Sequence, residues 1–209
     1  YRILGTPVEK WLQTLNEQFG CKFDIFCPAN YHGKWPVSEH RGWVEEIKSI
    51  PYLQINAHGF YHNTTNPIMF GEMEFAEINS TDVALERVKM IYDEWETAEK
   101  MGWRSPGWIC SEPSKQVIER NFEYAAIHYQ HNHGMDWKCK TFFGHDNINA
   151  ENISIHNDDM IMFQSHIAGN HNLNVWNRHN FEQLQLSLSH LVEDTNNIYN
   201  FKFLKECLD

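Results

Sequence analysis

Two histidines four apart, in the run His58-Gly59-Phe60-Tyr61-His62, are the first residues whose types and spacing suggest chemistry. Neutral imidazole is the commonest nitrogen ligand for metals and also carries protons near neutral pH. A pair at this spacing can share one metal on a helix, or in a loop folded back on itself. The glycine and the short apolar run before it favour the loop. Farther along, Arg104, Pro106, Gly107 and Trp108 follow one apolar stretch and His166 follows another. No HExxH motif is present, so the usual metalloprotease pattern fails. Each feature also has a plain structural reading. An HxxxH pair arises easily by chance among 13 His, Arg104 is compatible with a surface charge, Trp108 with a core aromatic, and His166 with a hydrogen bond to a backbone carbonyl. Their shared place at the ends of strands is what favours the functional reading. His131, His133, His145, His156 and His179 are unassigned loop or surface residues.

The elements that must position these residues alternate. Thr6-Pro7-Val8-Glu9 has the form of a capping box with proline at the first helical position, and Gly20 supplies a stop. Val8, Trp11, Leu12, Leu15 and Phe19 share one face, so the spacing predicts a helix from Thr6 to about Gly20. Lys22 to Cys27 reads as a strand stopped by Pro28, Gly42 to Ser49 as a helix, and Tyr52 to Ala57 as a strand leading into His58. Ser80 caps a long helix with Leu85, Val88, Ile91, Tyr92, Trp95 and Ala98 in period until Gly102 ends it. A strand end is expected at Gly102 to Arg104, a helix over Ser111 to Phe122 and a strand over Tyr124 to Tyr129. Weaker strands are expected at Thr141 to Phe143 and Ile153 to Ile155, and the most apolar one at Met160 to Ser165. Asn180 caps a helix with Leu184, Leu188 and Leu191 inward, and Tyr199 to Phe203 is a last strand. This alternation predicts βαβ units and a parallel α/β sheet, closed into a barrel or open, whose strand ends carry the functional side chains. The pattern begins with a helix, so a strand before Thr6 is missing.

Composition narrows the classes. At 209 residues and 24.8 kDa, the chain is expected to form one domain, 1–209. Its 17 basic and 28 acidic residues leave a net charge of −11, which argues against a phosphate-backbone grip and hence against nucleic acid. No stretch approaches the roughly 20 apolar residues that span a bilayer, so no membrane insertion is expected. The chain opens on Tyr1, which leaves the compartment open. Five cysteines without a CxxC pair fit buried free thiols better than disulfides or a cysteine zinc site. Asn63, Asn79 and Asn152 stand in Asn-x-Ser/Thr patterns too common to argue secretion.

The order HxxxH, then Arg-x-Pro-Gly-Trp after a long helix, then an apolar strand ending in His resembles the polysaccharide deacetylases of carbohydrate esterase family four, in particular the divergent branch with an HGxxH motif. The resemblance spans the chain from the first helix to the helix at Asn180. It implies a distorted (β/α)7-type barrel and the removal of acetyl groups, by C–N amide or ester hydrolysis, from an acetylated carbohydrate or related small amide. It also implies a divalent metal, with zinc the first choice and cobalt, nickel or manganese able to use the same ligands. By that resemblance His58 and His62 are metal ligands and Arg104 orients the catalytic base. Trp108, with Pro106 and Gly107, walls the substrate pocket, and His166 is the general acid for the leaving amine.

The family's Asp-Asp pair, which ends the first strand and supplies the base and the third ligand, is missing. Asp158-Asp159 precedes the strand at Met160, at the opposite rim of a barrel, and is set aside. Asp24 lies inside a strand, and Glu72 and Glu74 in the loop after HxxxH, so they reach a metal only through unusual geometry. The expectation is that a first strand ending in two carboxylates directly precedes Tyr1, and that the chain as given binds metal weakly and turns over poorly. The second reading is a degenerate barrel that binds carbohydrate through Trp103, Trp108, Trp137 and Trp176. The third is a structural domain in which His58 and His62 are surface residues.

Overall fold

The computed structural model describes residues 5–63, 73–128, 136–146, 162–164, 177–193 and 200–208. Residue contacts divide the chain into two units, residues 1–23 with 144–202 and residues 24–143 with 203–209.

The smaller unit is built on two helices, α1 (Pro7–Phe19) and α5 (Arg178–Glu193). Leu15, Cys21, Leu184 and Leu188 form its buried cluster, with Phe19, Phe23, Phe181 and Phe201 packed against it. Trp11 stacks on Phe181 with ring centroids 5.4 Å apart. α1 ends as its sequence predicts, Gly20 taking a left-handed conformation at φ +73°. At its start, Glu9 reaches the backbone N–H of Gly5, one residue earlier than the capping box predicts. α5 begins two residues before Asn180, because the Asn177 side chain accepts from the Asn180 N–H and is the residue that caps it.

The larger unit carries strands β1 (Phe23–Cys27, all but its first residue), β4 (Leu53–Ala57), β5 (Gly102–Trp103), β6 (Tyr124–His128) and the first part of β7 (Lys140–Asp146), in the order β1-β4-β5-β6-β7. β4 runs parallel to β5 and β5 to β6, Ala57 beside Trp103 and Gly102 beside Tyr124. In the smaller unit, β8 (Met162–Gln164) pairs in parallel with Gly144 to Asp146 of β7. A two-residue hairpin, β2 (Asn30–Tyr31) with β3 (Trp35–Pro36), follows β1. Helices α2 (Arg41–Lys48), α3 (Thr81–Trp95) and α4 (Glu112–Asn121) complete the unit. The α/β class with parallel strands is therefore as expected; among the described residues the sheet is not seen closed into a barrel. No helix among them is long and apolar enough to cross a membrane. Ile153 to Ile155 and Tyr199 lie outside the described residues, and Asn200 to Phe203 are not a strand but lead into a 3-10 turn, Leu204–Cys207.

The core centres on Trp103, which meets Phe75 and Phe122 edge-on or tilted at 4.6 and 4.7 Å. All five cysteines are free. Cys21, Cys27 and Cys110 are buried. Burial pushes the Cys21 and Cys110 thiols up to about 12, which keeps them protonated and poor in nucleophilic or ligating power.

One expected boundary moves. α3 stops at Trp95, where Glu96 turns left-handed at φ +49°, rather than at Gly102. Gly102 belongs to β5, and its missing side chain has a packing cause, since a Cβ there would stand 2.2 Å from the Tyr124 ring. Parallel register sets Asn56, Gly102 and Tyr124 in one row across three strands. Tyr124 crosses the glycine, and its hydroxyl reaches Asp24 Oδ1 of β1 at 3.0 Å. Asn56 donates to the same oxygen at 2.7 Å and accepts from the Gly102 N–H, while Asp24 Oδ2 accepts from the Leu204 N–H at 2.9 Å.

Burial pushes the Asp24 carboxyl above the ordinary carboxylate range, against the pull of these donors, Leu204 first. Folded Asp24 therefore holds its proton to higher pH than the unfolded chain does. Its contribution to stability is present below the unfolded value, about pH 4, and is lost as pH rises through the raised folded value. Asp24→Asn is expected to flatten that decline while costing about 1–3 kcal/mol, because an amide NH₂ then faces donors. Denaturant midpoints measured from pH 4 upward test this, and an unchanged decline in the variant contradicts it. Glu74, also raised by burial, leaves a residual slope.

Candidate metal centre

His58 follows the last residue of β4, and Arg104 follows the last residue of β5. Two ladder bonds carry on past the strand ends, from the His58 N–H to the Cys27 carbonyl and from the Arg104 N–H to the Ala57 carbonyl, both 3.0 Å. Adjacent strands thus deliver the two residues side by side, where α/β folds place their sites.

The His58 ring fixes its own protonation. Its Nδ1 stands 3.0 Å from the Arg104 carbonyl oxygen. A carbonyl only accepts, so Nδ1 carries the proton and the neutral ring's Nε2 presents a lone pair. That Nε2 faces Nε2 of His62 at 3.0 Å, with ring centroids 4.7 Å apart. One proton on His62 satisfies this contact; so does one cation between the two nitrogens. Two ligand nitrogens each about 2.0–2.1 Å from a common ion stand about 2.8–3.4 Å apart for angles between octahedral and tetrahedral, so the 3.0 Å separation of the pair suits a shared metal. The backbone carbonyl on the far nitrogen is the partner that ligating histidines ordinarily use to hold ring and tautomer.

The loop that returns His62 to His58 is wrapped around a carboxylate. Glu74 Oε2 accepts the backbone N–H groups of Phe60, Tyr61 and His62 at 3.0, 2.9 and 3.0 Å, a nest of successive donors on one anion. Its other oxygen pairs with Arg87 of α3, whose guanidinium also lies 4.8 Å from the Tyr61 ring centroid. Burial pushes Glu74 up, while Arg87 and the backbone donors pull it down. Gly59 is demanded twice over, by φ +75° and by space, since a Cβ would stand 2.4 Å from Pro106 Cγ and 2.8 Å from Glu74 Oε2. His62 itself sits left-handed at φ +57°. The glycine of HGxxH thus lets the loop close on Glu74 and Pro106 together.

Arg104 is buried and lays its guanidinium 3.6 Å from the Trp108 ring centroid, with the Phe26 ring 5.8 Å away. Pro106–Trp108 form one 3-10 turn in which Gly107 and Trp108 are both left-handed. Arg104 thus meets His58 through its carbonyl, Pro106 stands against Gly59, and Gly107 carries the chain to Trp108 on the Arg104 guanidinium, while His166 lies outside the described residues. Of the tryptophans expected to stack on sugars, Trp103 is only 1% exposed and sealed in the core, which removes it from that role. Trp137 is half-buried near Lys115, and Trp176 lies outside the described residues.

Glu74 is close to the pair yet serves backbone donors and Arg87, and Asp24 is committed to the sheet row; Glu72 and Asp158-Asp159 lie outside the described residues. Among the described residues, no third His, Cys, Asp or Glu joins the two imidazoles in a cluster able to hold a metal. From sequence Glu74 is only a remote ligand candidate, and no motif there marks it as the anchor of the loop or gives Arg87 and the β2–β3 hairpin a role. A charge at Arg87, three residues after buried Ala84 and four before buried Ile91, was the available signal. Compared with known proteins, the chain matches no family model, and no curated protein matches it.

Proposed function

We propose that this chain is a metal-dependent hydrolase of the deacetylase type, removing acetyl groups from an acetylated carbohydrate or related amide, on a distorted barrel to which the parallel strands above contribute. The observation that carries the reading is the facing pair of Nε2 atoms, one of them kept as a lone pair by the Arg104 carbonyl. A divalent metal, zinc first, would be held by His58 and His62 and would supply Lewis acidity toward the acetyl carbonyl and a water acidified toward pH 7. The remaining ligand and the base would be carboxylates, the residue type that the resemblance assigns to both roles.

The chain's own residues divide the rest of the work. Glu74 and Gly59 hold the loop so that both imidazoles converge. Arg104 fixes His58 through its carbonyl, and its guanidinium, flat on Trp108, is oriented to position an anionic base. Trp108 walls the acetyl-binding side. His166 donates the proton that the leaving nitrogen needs as the C–N bond breaks. In the zinc-loaded protein, His166→Ala is expected to lower acetate release from an acetylated oligosaccharide about 100-fold or more while zinc content is unchanged. Undiminished release contradicts the assignment, and release independent of zinc contradicts the whole reading.

A further inference from the structure

We propose that the β2–β3 hairpin beside the histidine pair is a sugar-stacking subsite, in which Tyr31 and Trp35 receive the apolar faces of successive pyranose rings of an acetylated oligosaccharide. The proposal rests on the deacetylase reading for what happens at His58 and His62, and on its own geometry for the subsite. Tyr31 and Trp35 are direct cross-strand partners, so their side chains share one face of the hairpin. Both are exposed, by 38% and 51%. The Tyr31 ring lies 5.7 Å from the His62 ring, which makes that face continuous with the candidate metal centre.

The hairpin is fastened to the loop that carries the histidines. Backbone N–H groups of Ala29, Asn30 and His32 donate to the carbonyls of Gly59, Phe60 and Tyr61 at 3.1, 2.7 and 2.8 Å. Across the hairpin, the Trp35 N–H donates to Asn30 Oδ1. Aromatic platform and histidine pair are therefore parts of one hydrogen-bonded piece. An exposed aromatic pair on rigid backbone offers wide apolar area at low entropic cost, suited to the C–H faces of sugars. Two platforms one strand apart select a chain of sugars over a single unit.

The test is affinity electrophoresis of the full chain through gels containing glycol chitin or acetylated xylan, with Tyr31→Ala, Trp35→Ala, Trp35→Phe and the double variant His58→Ala/His62→Ala alongside. The wild type is expected to be retarded by at least one polymer. Tyr31→Ala and Trp35→Ala should each weaken that affinity about tenfold, while Trp35→Phe, which keeps a ring, should retain most of it. EDTA in the gel, which removes metal and leaves the hairpin intact, should leave the wild type retarded. Wild type running unretarded in both gels, or Trp35→Ala retarded like wild type, overturns the subsite. If the deacetylase reading alone fails, the aromatic-dependent retardation persists while the double variant binds zinc like wild type.

Discussion

Glu74→Ala is expected to lower stability by about 3–5 kcal/mol, because it leaves the Arg87 guanidinium without its carboxylate and three backbone N–H groups without their acceptor. For a chain of this length that is a fall of roughly 10 °C in Tm. Glu74 contributes nothing to the ligand set, yet its loss should also weaken zinc binding, since the nest of donors around Oε2 is what turns the chain back and holds His62 left-handed against His58. Glu74→Gln separates the two contributions. It keeps a carbonyl oxygen for the donors and loses only the charge opposite Arg87, so it should fall between wild type and Glu74→Ala in both readouts. Thermal unfolding and zinc calorimetry on the three proteins check this, and a Tm for Glu74→Ala within about 2 °C of wild type contradicts it.

Local chemistry was legible where it is local. Pro7 and Gly20 bound α1, Ser111 caps α4 through its hydroxyl, and the strand before His58 ends where the polar loop begins. Gly102 misled because its cause is a contact 22 residues away: Tyr124 needs the space above it, and the helix before it stops at a left-handed glutamate instead. The same limit explains the site. HxxxH, Arg104 and Trp108 announced themselves by type and position, whereas Glu74 acts through backbone donors 12 to 14 residues back and through Arg87 on the flank of the buried face of α3. Asp24, weighed from sequence only as a metal ligand, instead joins Asn56, Tyr124 and Leu204 in a buried network whose members lie 32 to 180 residues apart from it. Strands of two residues have no period, so the β2–β3 hairpin and its exposed aromatics leave no pattern in the sequence, whereas Trp103, a sugar-stacking candidate by type, is consumed by the core.

Replacing both His58 and His62 with Ala is expected to weaken zinc binding about 100-fold or more at little cost in stability. Each imidazole contributes a direct bond to the ion, and His58 is held by a carbonyl in the tautomer a ligand requires. The rings are only half-buried, and the loop stays tied to Glu74 when they are removed. Single substitutions should each lose most of the effect, since one imidazole alone holds zinc poorly. Binding should also weaken on acidification, since protons and the ion compete for the same nitrogen lone pairs.

The most direct measurement is the ¹⁵N NMR spectrum of the histidine ring nitrogens during a zinc titration of the unaltered chain. Before zinc, His58 should carry its proton on Nδ1, and on addition of zinc the Nε2 resonances of His58 and His62 should shift together, to saturation at one equivalent of bound ion. A proton on His58 Nε2 alone before zinc, or two Nε2 resonances that stay in place as zinc is added, would contradict a metal centre at this pair.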